Sequence, residues 1–330
     1  MGILSLDQFK QPQFLGYVEN RLMPRQYLLK ALSEFDTTYD LSFDYDVFTQ
    51  TYAPSAAITG WNSGAPLRDK QGLKTVTQDV AKIQHGIRID EREQLKFTNP
   101  RVNNERERAI QRIYDQTDRL IEGVNDAEEW LRAQALYEGI ITFTSQNNIK
   151  VDVNFGLVPK VAVTTPWTNR ATSTPIDDLR VAVKAYKDKN AGVAPRYIDM
   201  SGDALMDITL NQQVRGAIFG VNNSMLPSRA QVEALITQIA DAPIVIRVND
   251  DQISVEGETP TRLLQARTVV LLGAQPIITV HGPTVEKNFE PGIYVLPIVK
   301  EGPPPSEEIY VGESAFVGIK KPSEVYRLTV

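Results

Sequence analysis

The chain has 330 residues, 42% hydrophobic and 23% charged, the balance of a globular protein with two domains or one elaborated one. It holds no cysteine and two histidines, His85 and His281, so disulfides, thiolate catalysis and cysteine-ligated metals are excluded. A net charge of −6 argues against tight nucleic-acid binding, which needs clustered Lys and Arg to displace counterions.

No segment approaches the roughly 20 consecutive apolar residues of a membrane span. Residues 1–10 lack the basic start and apolar run of a secretory signal, so synthesis in a cytosol is expected. Residues 1–35 carry two short helical patterns, one on Phe14, Leu15, Val18 and Leu22, the other opened by Pro24 and carried by Tyr27, Leu28, Ala31, Leu32 and Phe35. Helices this short are marginal in water, so the arm must dock on its own domain or on a neighbour. From Thr38 the period changes: Tyr39, Leu41, Phe43 and Tyr45 alternate with polar residues, as in a half-buried strand. A second, less regular run holds Val76, Val80, Ile83, Ile87 and Ile89. Between them lies a loop over residues 53–72, rich in Gly, Pro, Ala and Ser, carrying Trp61, Arg68, Asp69 and Lys70. A connection of this length without periodicity is usually functional, and an indole at its tip points to packing, either against another chain or back onto its own domain.

Residues 99–139 read as one long helix, with Asn99 as N-cap, Pro100 in the first turn and Gly139 as the left-handed stop. Val102, Ala109, Ile110, Ile113, Tyr114, Leu120, Ile121, Val124, Ala127, Leu131 and Ala135 recur at three- and four-residue steps and form one apolar stripe. The opposite face carries Glu105, Arg108, Arg112, Asp115, Asp118, Arg119, Glu122, Asp126, Glu129 and Arg132, expected in water or against another subunit. Such a rod would reach roughly 58 Å, twice the diameter of a small domain, and Gly123 offers a place to bend it.

Beyond the helix, Ile141 and Phe143 face Ile149, Val151, Val153 and Phe155 across a turn, the pattern of a hairpin. A connection with Trp167 leads to a helix over residues 175–189, a strand at 197–200, Ser201 as N-cap, and a helix holding Leu205, Met206, Ile208 and Leu210. Residues 216–228 read as a loop, Ser228 caps the next helix, and Ile244, Val245 and Ile246 form a strand. Residues 249–252 look like a hairpin turn into Ile253 and Val255, and the run 268–273, apolar on both faces, reads as a central strand. After the breaker Gly302 with Pro303, Pro304 and Pro305, strand patterns return at Tyr310, Val311 and residues 316–320.

Catalytic constellations are missing from the sequence. There is no phosphate-cradling Gly-rich loop with Lys and Ser/Thr, no GxSxG elbow and no HExxH; His85 and His281 have no nucleophile in local context and read as structural. Asp250 and Asp251 lack the calcium-loop spacing, and Asp177 and Asp178 sit in the first turn of a helix, where the dipole favours them. No catalytic, cofactor or metal residue is assigned, which lowers the standing of a soluble enzyme built from scattered carboxylates without closing it.

The order of elements is a short arm, a two-stranded excursion with a long tip, a very long helix, a hairpin, an α/β region and a returning C-terminal segment. It resembles the major capsid protein of tailed bacteriophages, an α+β protein of the Hong Kong 97-like fold. The stretch Ala135-Leu136-Tyr137-Glu138-Gly139, running into Ile149-Lys150-Val151-Asp152-Val153-Asn154-Phe155-Gly156, is similar to the lambda-type family called capsid protein E, as is Gly292-Ile293-Tyr294-Val295-Leu296-Pro297 before its Pro-rich step. The resemblance implies an N-terminal arm (1–37), an extended loop (38–92), a peripheral domain (93–159) with a spine helix at 99–138, an axial domain (160–290), and a return to the peripheral domain (291–330). It implies a structural protein and not an enzyme, assembling with itself into hexamers and pentamers that form the icosahedral head shell around double-stranded DNA without specific binding. Its partners would be a separate scaffolding protein, a portal protein at one vertex and a decoration protein; it would have no cofactor, and would be assembled in the host bacterial cytoplasm. Nothing identifies the Lys, Asn and Glu set of the cross-linked members, although Lys70 and Lys74 lie in the right element. Interface residues are expected to be Trp61, Arg68 and Lys70 on the loop, Arg108, Arg112, Asp115 and Arg119 on the helix, and Asn222 and Asn223 on the axial tip. An encapsulin-type compartment on the same fold stands as an alternative.

Overall fold

A computed structural model describes residues 3–19, 25–48, 55–59, 61, 64, 73–100, 104–144, 150–220, 225–257, 259–300, 302 and 306–330. The N-terminal arm forms short 3-10 turns and helix α1 (Gln11–Glu19). It docks on its own subunit: Phe9, Phe14 and Tyr17 ring Tyr114 of the long helix at centroid distances of 4.8–6.0 Å. Among the described residues, from Arg25 onward, the expected second helix is absent. Residues 30–32 make one 3-10 turn and the chain then extends as β1 (Ser33–Thr37), because Leu29, Leu32 and Ser33 are buried against neighbouring elements and β1 finds a parallel partner farther along the chain.

Strand β2 (Ser42–Phe48) pairs antiparallel with β3 (Leu73–Asp79), and β4 (Ala81–Ile89) continues from β3. The second sequence run is thus two strands in two different sheets. Only Phe43 and Tyr45 of the alternating set are buried; Tyr39 and Leu41 fall in a turn tied by Asp40 N–H to Thr38 Oγ1 and are exposed. Helix α2 (Glu91–Thr98) follows, ending at Asn99, whose N–H bonds Leu95 O at 2.9 Å. Asn99 therefore closes a short helix and does not open the long one. The long helix, α3 (Glu105–Ala133), starts after Asn104 and passes through a π-helical turn (Gln134–Glu138) to Gly139 at φ 71°. Gly139 does terminate it in the left-handed conformation, with its N–H on Gln134 O at 2.9 Å.

The predicted hairpin forms from β5 (Ile140–Thr144) and β6 (Lys150–Asn154). The α/β region holds β7 (Val161–Ala162), α4 (Pro175–Lys189), β8 (Tyr197–Met200), α5 (Gly202–Leu210), α6 (Gln212–Phe219), α7 (Arg229–Ala240), β9 (Val245–Val248), β10 (Gln252–Ile253), β11 (Thr261–Arg262) and β12 (Thr268–Leu272). Ser201 caps α5 and Ser228 caps α7 in a capping box with Gln231, as their positions predicted. The expected loop at 216–228 is helical as far as Phe219, since Asn211 caps α6 through Gln213 and Val214 N–H. Residues 249–252 do not join a hairpin either: β9 runs parallel to β8, and β10 pairs with β11.

The chain ends with β13 (Ile277–Gly282), β14 (Tyr294–Lys300), β15 (Ser306–Ile319) and β16 (Val325–Thr329). Two sheets organise the molecule. In one, β15 carries β4 along one edge, β14 and then β13 along the other, and β1 lies outside β13. In the other the order is β7-β16-β12-β8-β9, with β12 central and fully buried, as expected from its apolar run. The last strand thus belongs to the α/β sheet, whereas β13, expected there, joins the sheet under α3.

Helix α3 lies over β4 and β15. The helix runs through Gly123 without a break. A Cβ there would collide with the His85 ring, which bonds Leu120 O through Nε2 at 2.6 Å, so the glycine lets the helix settle onto β4. Within the sheet, a Cβ on Gly312 would stand 2.5 Å from Ile83 O and 2.8 Å from Gln84 Cβ, both on the neighbouring strand. We expect Gly312→Ala to cost about 1–3 kcal/mol by forcing β15 and β4 apart, although alanine is otherwise easier to order than glycine. Urea unfolding followed by circular dichroism would measure it, and an unchanged midpoint would refute the close approach.

Candidate assembly surfaces

Two buried polar networks set the geometry of the molecule before any surface is considered. At the end of α3, Arg132 is fully buried: its Nη2 donates to Glu128 Oε2 at 2.7 Å, Nη1 to Glu129 Oε2 at 3.3 Å, and Nε to Thr279 Oγ1 at 3.1 Å. Glu129 also accepts the Leu29 N–H at 2.6 Å. Glu129 and Arg132, expected on the outer face, are therefore inside, because residues 25–33 and β13 cover the C-terminal half of the helix on its second side. Arg25 and Tyr27 cover it further, each bonding Asp126 Oδ1.

The second network joins the π-helical turn to the α/β sheet. Tyr137 Oη donates to Asp199 Oδ2 at 2.7 Å, Asn249 Nδ2 donates to Tyr137 Oη at 3.1 Å, and Arg247 grips both Asp199 oxygens at 2.7 and 2.8 Å. Burial pushes the Asp199 carboxyl above the usual carboxylate range, opposed by the Arg247 guanidinium and the Tyr137 hydroxyl; burial and the Asp199 charge push the Tyr137 phenol well up. Arg247 Nη1 also reaches Leu28 O at 3.2 Å. The helix end, the arm and the α/β sheet are thus pinned at one point. Removing the phenol by Tyr137→Phe leaves Asp199 and Asn249 short of a partner, and should cost about 1–3 kcal/mol in a urea titration; a loss near zero would show that the network bears no strain.

On the surface, Arg108, Arg112, Asp115 and Arg119 are all exposed along α3. Arg112 reaches Glu93 of α2 at 3.4 Å and Asp115 accepts from Gln111, while the side chains of Arg108 and Arg119 meet no partner among the described residues. Trp61 is fully exposed, 105% relative to the free residue, and so is Ile58; within this one subunit the indole does not fold back. Arg68, Lys70, Asn222 and Asn223 lie outside the described residues. The hairpin bearing the loop is rooted by Phe43 and Tyr45, whose rings stack at 5.8 Å, with Tyr45 lying over Gly318 of β15.

Sequence reading missed one surface feature. Asn288 and Phe289 both adopt positive φ, 57° and 66°, and Phe289 is 67% exposed beside Val285 at 70%. A left-handed aromatic costs roughly 1–2 kcal/mol, held here by the Phe289 N–H on Thr284 O at 2.8 Å. The preceding Asn is the residue type that tolerates this conformation, and was the available signal.

The comparisons fit this architecture. The family model described as phage major capsid protein E matches residues 32–298. The chain belongs to the phage major capsid protein E family. Its fold is that of Hong Kong 97-like capsid subunits. A crystal structure described as a prophage capsid protein from E. coli CFT073 superposes with a TM-score of 0.66 at 12% identity, covering 97% of this chain and 98% of that one. A phage-related protein from Bordetella bronchiseptica RB50 gives 0.54 at 12% identity over 96% of each chain, and the capsid of cyanophage P-SCSP1u gives 0.52 at 10% identity over 94% and 89%. No curated protein matches the sequence. The family makes this a structural protein of the virion capsid that builds a shell with copies of itself, and not an enzyme; the encapsulin-type and soluble-enzyme alternatives lose their ground.

Proposed function

We propose that the shell is icosahedral, built from hexamers and pentamers around double-stranded DNA, and that the β2–β3 excursion is the element by which each subunit reaches over its neighbour. The observation that carries this reading is a fully exposed Trp61 beyond a hairpin whose root is buried in its own subunit. An indole left wholly in water by its own chain gains by being covered, and aromatic anchors in such places dominate interface energies. Arg108 and Arg119 on α3 are the matching charged surface, joined by Arg112 and Asp115, with Arg68 and Lys70 on the loop. The segment that follows α6, with Asn222 and Asn223, is proposed as the axial tip. In this division the β4–β13–β14–β15 sheet with α3 is the peripheral part, and the α/β sheet with β16 is the axial part. DNA is enclosed and not gripped, in keeping with a net charge of −6. A scaffolding protein, a portal at one vertex and a decoration protein complete the proposed set of partners, with assembly in the host bacterial cytoplasm.

Light scattering and negative-stain microscopy of the purified chain, with and without its scaffolding partner, test the reading: rings or uniform hollow shells are expected, and a persistent monomer under every condition refutes it. Trp61→Ala should raise the concentration needed for assembly by roughly tenfold or more with no change in the circular dichroism of the subunit. Shells formed at the wild-type concentration would remove Trp61 from the interface. Charge reversal at Arg108 and Arg119 together should likewise weaken assembly and make it less sensitive to salt; an unaltered salt dependence would assign that face to solvent.

A further inference from the structure

Glu128 of α3, His281 of β13 and Glu313 of β15 converge on one point beneath the helix. His281 and Glu313 share a face of the sheet, since His281 pairs with Ala315, two residues along β15. Glu128 is 3% exposed and Glu313 1%, and Glu128 Oε1, Glu313 Oε1 and His281 Nδ1 are all buried without a hydrogen-bond partner. Such groups are expensive to leave unsatisfied. His281 Nδ1 stands 3.6 Å from Glu128 Oε1 and 3.5 Å from Glu313 Oε2, too far for good hydrogen bonds. That spacing has another meaning. Ligand atoms held about 2.1 Å from a tetrahedral ion are separated by about 3.4 Å. Arg132 occupies the other Glu128 oxygen, leaving Oε1 directed at the imidazole.

Charge counting points the same way. Were all three carboxylates ionised and the imidazole neutral, Glu128, Glu129 and Glu313 would face one guanidinium, Arg132, with two negative charges in excess, to be balanced by protons or by a cation. We propose that Glu128, His281 and Glu313 bind one divalent transition-metal ion of the zinc type, which staples α3 to β13 and β15. The donor set, one imidazole nitrogen and two carboxylates, suits such an ion better than calcium or magnesium, which take oxygen ligands in larger number. Three protein ligands leave a fourth position for water, and the ring of Phe35, stacked on His281 at 6.0 Å, screens the imidazole from the surface. The site lies within one subunit and does not depend on how copies assemble.

The test uses the full chain, stripped with a chelator and dialysed against Zn2+, Co2+ or Mg2+. One Zn2+ or Co2+ per chain should be retained, Co2+ should show the visible absorption of a low-coordinate site, and the thermal midpoint should rise with Zn2+ but not with Mg2+. Glu313→Gln and His281→Asn, each checked for folding by circular dichroism, should weaken Co2+ binding by 100-fold or more and abolish the thermal shift. Failure of the folded wild-type chain to retain Zn2+ or Co2+ would overturn the proposal, showing a cluster balanced by protons; so would equal retention by the two variants.

Discussion

The close seating of α3 on its sheet is the constraint from which the rest of the molecule follows. A helix of 29 residues, roughly 43 Å long, can lie flat on strands only where the strand surface and the helix surface both give way. Gly123 gives way on the helix and accepts the His85 ring; Gly312 and Gly86 give way within the sheet, where a methyl group would meet the neighbouring strand. With the helix seated, β15 becomes the axis of a sheet that reaches from the root of the extended hairpin to the arm. The arm then has an apolar groove to fill, and Ile3, Leu4, Phe9 and Phe14 fill it. A subunit built this way has a rigid interior and can leave its loop and helix face exposed without losing its fold.

The two polar networks belong to the same logic. Burying Arg132 among carboxylates costs desolvation that its ion pairs roughly offset, so it is weak as a source of stability. Its effect is positional: it fixes the end of α3 against β13 and the start of β1. Tyr137, Asp199 and Arg247 do the same between the helix end and the α/β sheet, a junction which would otherwise be a plain apolar contact able to slide. For a subunit that must tile a curved surface, a fixed angle between its two parts is worth more than a few kcal/mol of extra stability.

Much of this was legible in the sequence. The helix, its Gly139 stop, the hairpin after it, the Ser201 and Ser228 caps and the central strand at β12 all follow from periodicity and capping chemistry, which act locally. The failures have physical causes. Tyr27 to Phe35 has a helical pattern, but its second half forms a parallel edge strand because β13, far along the chain, supplies the hydrogen bonds. Glu129 and Arg132 look like surface charges in a heptad-like window, and become interior ones only when residues 25–33 fold across them. Asn99 has the right chemistry for an N-cap, yet a separate helix ends there. In the first two cases a distant partner overrides the local preference; at Asn99 the competing element is the neighbouring helix α2.

The same limit applies to sites. Glu128, His281 and Glu313 come from a helix and two strands with no common spacing, so no pattern search could join them; only the pairing of β13 with β15 and the descent of α3 bring them together. The surface is the reverse case. Trp61 was conspicuous from composition alone, because an indole in a Gly- and Pro-rich loop has no local reason to be there, and the subunit leaves it uncovered. A buried cluster needs the fold to be recognised, whereas a candidate interface shows itself by residues that the fold of one subunit does not use. Phe289, exposed on a left-handed backbone that its N–H on Thr284 O holds, is likewise a side chain that the fold of one subunit leaves uncovered.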